Sequence, residues 1–187
     1  MTGYLSTYYQ KSMLGWGFLI DSIFSDTKRF AFLTKVMPDS IQMMNALLLM
    51  FMMLEWNRVA VYYTPNEVQY CDTMISDLTT AFSDDTKYVV DLVQVVAWDG
   101  RDSDYFTDQL LRTKKIARII IMCLDTATNR RAFMKKVSLM DMISEEYVYV
   151  LVGMRGFGFG QSTKGIGERK CFIVAGPVSS DYESPRW

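Results

Sequence analysis

The sequence predicts an α/β fold: a parallel sheet with helices on both faces, incomplete at both ends. Three observations predict it. Apolar, β-branched runs alternate with amphipathic segments between residues 38 and 152. The runs start about 30 residues apart, the size of a repeated βα unit. One of them, Arg118–Leu124 (RIIIMCL), is apolar after its first residue, as a parallel strand covered on both faces should be.

Each element follows from its own pattern. Residues 1–11 are polar and Tyr-rich, and Tyr8 and Tyr9 read as the end of a helix entering from upstream. Ser12–Phe18 (SMLGWGF) has two readings: a strand ending in a Gly-Trp-Gly turn that exposes Trp16, or a loop with a packed Trp. Asp21–Lys28 is loop-like, and Arg29–Leu33 looks extended. Pro38-Asp39-Ser40 opens the first clear helix, which runs to Leu54 with Asp39 or Ser40 as its cap. It is apolar nearly all round, so it is expected to be sandwiched rather than surface-lying. It is also uncharged, but Gln42 and Asn45 interrupt it and it falls short of the roughly 20 residues that cross a bilayer.

The stretch Trp56–Leu78 carries the unit from which the rest is built. Val59–Tyr63 is a strand, Thr64-Pro65-Asn66 breaks it, and Val68, Cys71, Met74, Ile75 and Leu78 recur at helical spacing. Asn66 is suited to cap a helix Asn66–Phe82, and Glu67 favours its positive end. Ser83–Thr86 is a turn. Lys87–Trp98 is the next strand and Ser103–Lys115 the next helix. Arg118–Leu124, a helix Ala127–Met142 and a strand Glu146–Val152 follow. Beyond Gly153 the alternation stops. Gly153–Gly167 is Gly-rich, Cys171–Ala175 is a weak apolar run, and no further helix is predicted.

Composition narrows the chemistry. The chain has 187 residues, half of them hydrophobic, and a net charge of −1. That suffices for one domain and argues against a nucleic-acid partner, which needs a basic surface. Histidine is absent, which excludes Ser-His-Asp and Cys-His catalysis and His metal ligation. Cys71, Cys123 and Cys171 have no paired spacing, so neither a zinc site nor a disulfide framework is expected, and Cys71 and Cys123 read as buried thiols. The amino terminus shows no basic-then-apolar secretory signal.

The candidate sites are modest. The Gly-rich segment fails both phosphate patterns: Gly160 and Gly165 are followed by Ile166 and Gly167 rather than Lys and Ser or Thr, and no GxGxxG occurs. Asp99 and Asp125 follow strands and would lie on the ligand-facing rim of the sheet, although a turn or cap role is the simpler reading. Arg112, Lys114, Lys115, Arg130, Arg131, Lys135 and Lys136 read as solvated helix faces. What the rim offers is aromatic and amide groups: Trp16, Tyr62, Tyr63, Thr64, Asn66 and Trp98, with Asp125 beside them. Such groups bind a ligand without activating it. No catalytic residue, cofactor or metal is expected.

Three blocks carry a resemblance: RFAFLTKVMPDSIQMMNALLLMF, WNRVAVYYTPNEVQYCDTMISDL and ARIIIMCLDTATNRRAFMKKVSLMDMISEEYVYVLVGM. Over about residues 12–160 the chain resembles the extracellular ligand-binding region of receptor-type guanylate cyclases, most of all the nematode set, related to natriuretic peptide receptors. The resemblance implies most of one lobe of a type I periplasmic-binding-protein fold. Residues 1–37 would be a remnant of the first lobe and the crossing, 38–157 the second-lobe βα units, and 158–187 a Gly- and Pro-containing tail. Trp16 and the Tyr62–Asn66 turn would face the cleft from opposite sides. It further implies an unknown small-molecule or peptide ligand, a receptor homodimer as one assembly, and a parent on the plasma membrane with this region outside. Cyclase activity would reside in a region this fragment lacks, and no membrane span is expected within it. Two other readings stand beside this one: an intracellular α/β small-molecule-binding protein or enzyme, and a truncated product without independent function.

Overall fold

A computed structural model describes residues 2–15, 21–36, 38–65, 70–83, 88–101, 103–124, 126–152 and 173–175. In chain order the elements are α1 (Thr2–Tyr8), β1 (Met13–Gly15), a 3-10 turn (Ser22–Ser25), β2 (Leu33–Lys35), α2 (Ser40–Met53), β3 (Arg58–Tyr63), α3 (Tyr70–Phe82), β4 (Asp91–Ala97), α4 (Asp104–Ile116), β5 (Ile119–Cys123), α5 (Ala127–Leu139), β6 (Val148–Leu151) and β7 (Ile173–Ala175). They form two compact units, Met1–Asn57 with Asp72–Val90, and Arg58–Cys71 with Asp91–Trp187.

In the first unit β1 and β2 pair in parallel, Met13 opposite Leu33. The extended stretch expected at Arg29–Leu33 thus begins only at its last residue. Between the two strands, Asp21 accepts a hydrogen bond from Ile23 N at 2.9 Å and starts the 3-10 turn. Asp39 stands at the N-cap of α2 but makes no side-chain capping bond. Its carboxylate instead pairs with Lys35 and accepts from Ser25 Oγ. Next to it, the buried Ser40 hydroxyl donates to Asp77 of α3, which also accepts from Ser22 Oγ at 3.1 Å. This polar cluster ties the segment before α2 to α3. On the apolar side, Phe51 of α2 meets Trp56 and Phe82, each with ring centroids 5.5 Å apart.

The sandwiched helix expected for α2 is not what the structure holds. Ser40, Met44, Leu47, Leu48 and Phe51 are buried, but Leu49, Met52 and Met53 are 56, 46 and 80% exposed. The helix has one covered face and one open apolar face. An all-round apolar pattern signals that cover is needed on every side, and among the described residues of its unit one side goes without.

The second unit is a five-stranded sheet in the order β4-β3-β5-β6-β7. The pairs β3–β4, β3–β5 and β5–β6 are parallel, as the βα alternation predicts. β7, in the weak apolar run, joins β6 antiparallel, Tyr149 opposite Val174. The sheet is therefore parallel with one antiparallel edge. β3 and β5 are buried on both faces, Ala60, Tyr62, Ile120 and Met122 on one, Val59, Val61, Ile121 and Cys123 on the other. That is why both read as nearly continuous apolar runs.

Helices α4 and α5 cover the Ala60–Tyr62 face. Their ends follow from local chemistry: Ser103 Oγ accepts from Phe106 N at 3.1 Å, and Thr126 Oγ1 accepts from Asn129 N at 3.1 Å, each satisfying a donor the helix start leaves open. The core beneath them is aromatic. Trp98 stacks on Phe106 at 4.6 Å, and Phe133 packs edge-on against Tyr62 at 5.2 Å. Leu110, Ile120, Met122, Val137 and Met142 complete it.

Candidate functional site

The sheet reverses its direction of growth at β3: β4 lies on one side of it and β5 on the other. In open α/β sheets, ligands bind outside the carboxyl ends of the strands flanking such a switch. Here those ends are knitted together by the backbone. Thr64 N donates to Cys123 O at 3.0 Å, and Trp98 N donates to Tyr63 O at 2.8 Å. Tyr63, Thr64, Trp98 and Leu124 thus meet in one row across three strands.

The structure divides the sequence-predicted site residues into three groups. Tyr62 and Trp98 are core side chains, 0 and 4% exposed. The Tyr62 hydroxyl lies 2.6 Å from Thr113 Oγ1, and burial pushes its pKa up to about 12. Trp98 is held by its stack on Phe106 and by Nε1 donating to Arg101 O at 2.7 Å. Both were expected on the rim. Alternation along β3 explains the difference for Tyr62, because it shares the covered face with Ala60. Tyr63 and Thr64 form the second group, at the end of β3. Tyr63 is half-buried and points to the other face. Thr64 is 7% exposed, and its hydroxyl has no hydrogen-bond partner among the described residues. Trp16, Asn66 and Asp125 lie outside the described residues.

The simpler reading of Asp99 holds: its Oδ1 accepts from Arg101 N at 3.0 Å, closing a turn. After it, Gly100 has φ +86°, and a Cβ there would stand 2.7 Å from Asn129 Oδ1. Only glycine fits this approach of the β4 loop to the first turn of α5.

Two features of the rim depart from the sequence reading. Cys71 and Cys123 are joined in a disulfide across 52 residues, with Cα atoms 5.7 Å apart. They are not separate thiols, because the start of α3 returns over the end of β5. Arg130 is not on a solvated face. It is 5% exposed, and its Nη1 donates to Leu124 O at 3.1 Å. Arg112, Lys115, Arg131 and Lys135 are exposed as expected, Arg112 pairing with Asp108 at 3.0 Å, whereas Lys114 and Lys136 are half-buried and Lys114 Nζ donates to Met140 O at 2.8 Å. The signal for Arg130 was its spacing of three and seven residues from Phe133 and Val137, which puts all three on one helical stripe.

The rim can therefore offer a hydroxyl, a buried guanidinium and an aromatic flank. Among the described residues there is no group of three His, Cys, Asp or Glu able to hold a metal ion, and no helix long and apolar enough to cross a membrane.

An α/β unit with a polar rim at its switch point is the architecture of a ligand-binding lobe. The chain belongs to the ANF receptor family, the receptor family ligand binding region, whose model matches residues 1–169. Among its relatives are nematode receptor-type guanylate cyclases. It is 38% identical to receptor-type guanylate cyclase gcy-4 of Caenorhabditis briggsae over 159 residues, 84% of this chain. It is 34% identical to gcy-19 of the same organism and 35% identical to gcy-1 of Caenorhabditis elegans, each over 87% of this chain. The chain spans 14% of the length of each of these relatives, and what it matches is their ligand-binding region.

Proposed function

We propose that this chain is the part of a receptor guanylate cyclase that senses a ligand outside the cell and thereby sets the rate of cGMP synthesis inside. The family match over most of the chain carries the reading. Residues 38–157 are assigned to the second lobe and residues 1–37 to the end of the first with the crossing. The ligand, a small molecule or peptide, meets the carboxyl rim at Tyr63 and Thr64, and Trp16, Asn66 and Asp125 are assigned to the same site from the sequence. The parent sits in the plasma membrane and works as a homodimer.

The Cys71–Cys123 bond favours this over an intracellular α/β protein, because disulfides persist in oxidising compartments. The reading is tested in cells expressing the full-length receptor. Tyr63→Ala and Thr64→Val each lower stimulated cGMP output while surface expression holds. Unchanged dose–response curves for both variants would remove the rim from ligand binding.

A further inference from the structure

We propose that Asp39 is a two-position switch that couples the ligand wall carrying Trp16 to the start of α2. Its carboxylate has two homes. In one it pairs with Lys35 and accepts from Ser25 Oγ, which in turn accepts from Lys35 Nζ at 3.3 Å. In the other it caps α2. The structure holds the first.

The second home is already built. Asp39 is the N-cap of α2 with φ −74° and ψ 157°, an extended backbone like that of the caps Ser103 and Thr126. Those two residues accept from the third amide of their helices at 3.1 Å, whereas the Asp39 side chain makes no capping bond. The corresponding amide in α2 is that of Gln42. Aspartate is among the best residues for this bond, and its charge suits the positive end of the helix. Rotation of the side chain alone carries the carboxylate across, with the backbone already in place. The next residue, Ser40, donates to Asp77, which also accepts from Ser22, so the helix start is anchored in either position.

Both homes suit a buried anion. Asp39 is 2% exposed, and a buried carboxylate must be paired or hydrogen-bonded. One home supplies an ammonium and a hydroxyl, the other a backbone amide and the helix dipole. Two satisfied arrangements of one group are what a switch needs.

Lys35 is the part that moves it. It ends β2 and pairs with Gly15, which ends β1, and Val36 N donates to Gly15 O at 3.1 Å. Trp16 follows Gly15 in the chain. A ligand that displaces Trp16 pulls on this pairing, draws Lys35 from Asp39 and sends the carboxylate to α2. This coupling rests on the ligand site proposed above; the two positions of Asp39 do not.

Amide hydrogen exchange of the purified chain, read by NMR, tests the switch. Lys35→Met should slow exchange at Gln42 about fivefold, because Asp39 turns to cap the helix. Asp39→Asn, which can cap but cannot form the ion pair, should do the same. Asp39→Ala can do neither and should leave Gln42 at the wild-type rate. If Lys35→Met does not fold, Ser25→Ala carries the test: Ser25 is exposed, and its loss should slow Gln42 by a smaller factor. A Gln42 rate that neither the Lys35 nor the Ser25 variant slows overturns the switch and leaves the ligand site standing. Equal slowing by Asp39→Ala overturns it as well. In the full-length receptor, Lys35→Met should raise cGMP output without ligand by at least about twofold. Output at the wild-type level overturns the coupling. No ligand is present in that measurement, so failure of the ligand site cannot produce the result.

Discussion

Two buried threonines on one sheet unit live under different rules. Thr113, on α4, is fully buried, and its hydroxyl lies at the centre of a network: Tyr62 OH at 2.6 Å, Gln94 Oε1 at 2.9 Å and Gln109 O at 3.0 Å. Gln94 closes the ring by donating to Gln109 Oε1 at 2.7 Å. Thr64, at the carboxyl rim, is nearly as buried, and its hydroxyl meets no partner among the described residues. A buried hydroxyl costs stability unless it is hydrogen-bonded. The floor of the sheet meets that cost internally. Among the described residues the rim does not, as the proposed role of Thr64 in ligand binding would require.

The largest expected effect tests whether the rim is held rigid from outside the network. Removing the Cys71–Cys123 bond by the double change Cys71→Ala and Cys123→Ala releases a 52-residue loop and should cost about 4 kcal/mol in denaturant unfolding. A cost under about 1 kcal/mol would mean that backbone pairing alone holds the ends of β3 and β5 together.

The floor comes next. Thr113→Val keeps the shape, removes the central hydroxyl and strands both Tyr62 OH and Gln94. A loss of about 1–3 kcal/mol is expected in the same measurement. A neutral result would place Thr113 in the same class as Thr64 and dissolve the contrast.

Alkaline titration reads the floor in another way. The folded protein holds the Tyr62 proton up to about 12, against an ordinary value of 10.0, chiefly because burial disfavours the phenolate. Between those values the unfolded chain has lost a proton that the folded chain keeps. Stability is therefore complete below pH 10 and falls as pH rises toward 12. Tyr62→Phe should flatten that fall in thermal melts taken across the range, and an unaltered slope would assign the loss to other tyrosines. Tyr149 is one such group, also raised by burial, with its hydroxyl donating to Met142 O at 2.6 Å.

The contrast was only partly legible in the sequence. The parallel sheet was, because β3 and β5 are apolar on both faces and the βα period is regular. The helix starts near Ser103 and Ala127 were too, although the caps that Ser103 and Thr126 supply were not named. Tyr62 and Tyr63 look alike in a string of letters, and only the pairing of β3 with its neighbours tells which face each takes. The disulfide depends on two residues brought together by an entire βαβ crossover, so no spacing rule could announce it. Arg130 lies in a run of basic residues whose neighbours are solvated, and the helical stripe that buries it shows only when Phe133 and Val137 are read with it. For α2 the apolar pattern was read correctly, but the described residues of its unit cover one side of the helix and not the other.

The smallest expected effect has the opposite sign and decides most. Thr64→Val exchanges a hydroxyl for a methyl of nearly the same shape in a nearly closed site. If the hydroxyl waits for a ligand, the isolated chain has nothing to lose. It should gain up to about 1 kcal/mol, because an uncompensated polar group leaves the interior, while the full-length receptor loses ligand response. Thr64→Ser should restore the response without the gain. A Thr64→Val chain that is less stable would show that the hydroxyl already has a structural partner, and the rim would then follow the same rule as the floor. Stability and response moving in opposite directions is the signature of a group held at a cost for binding, and a purely structural threonine cannot produce it.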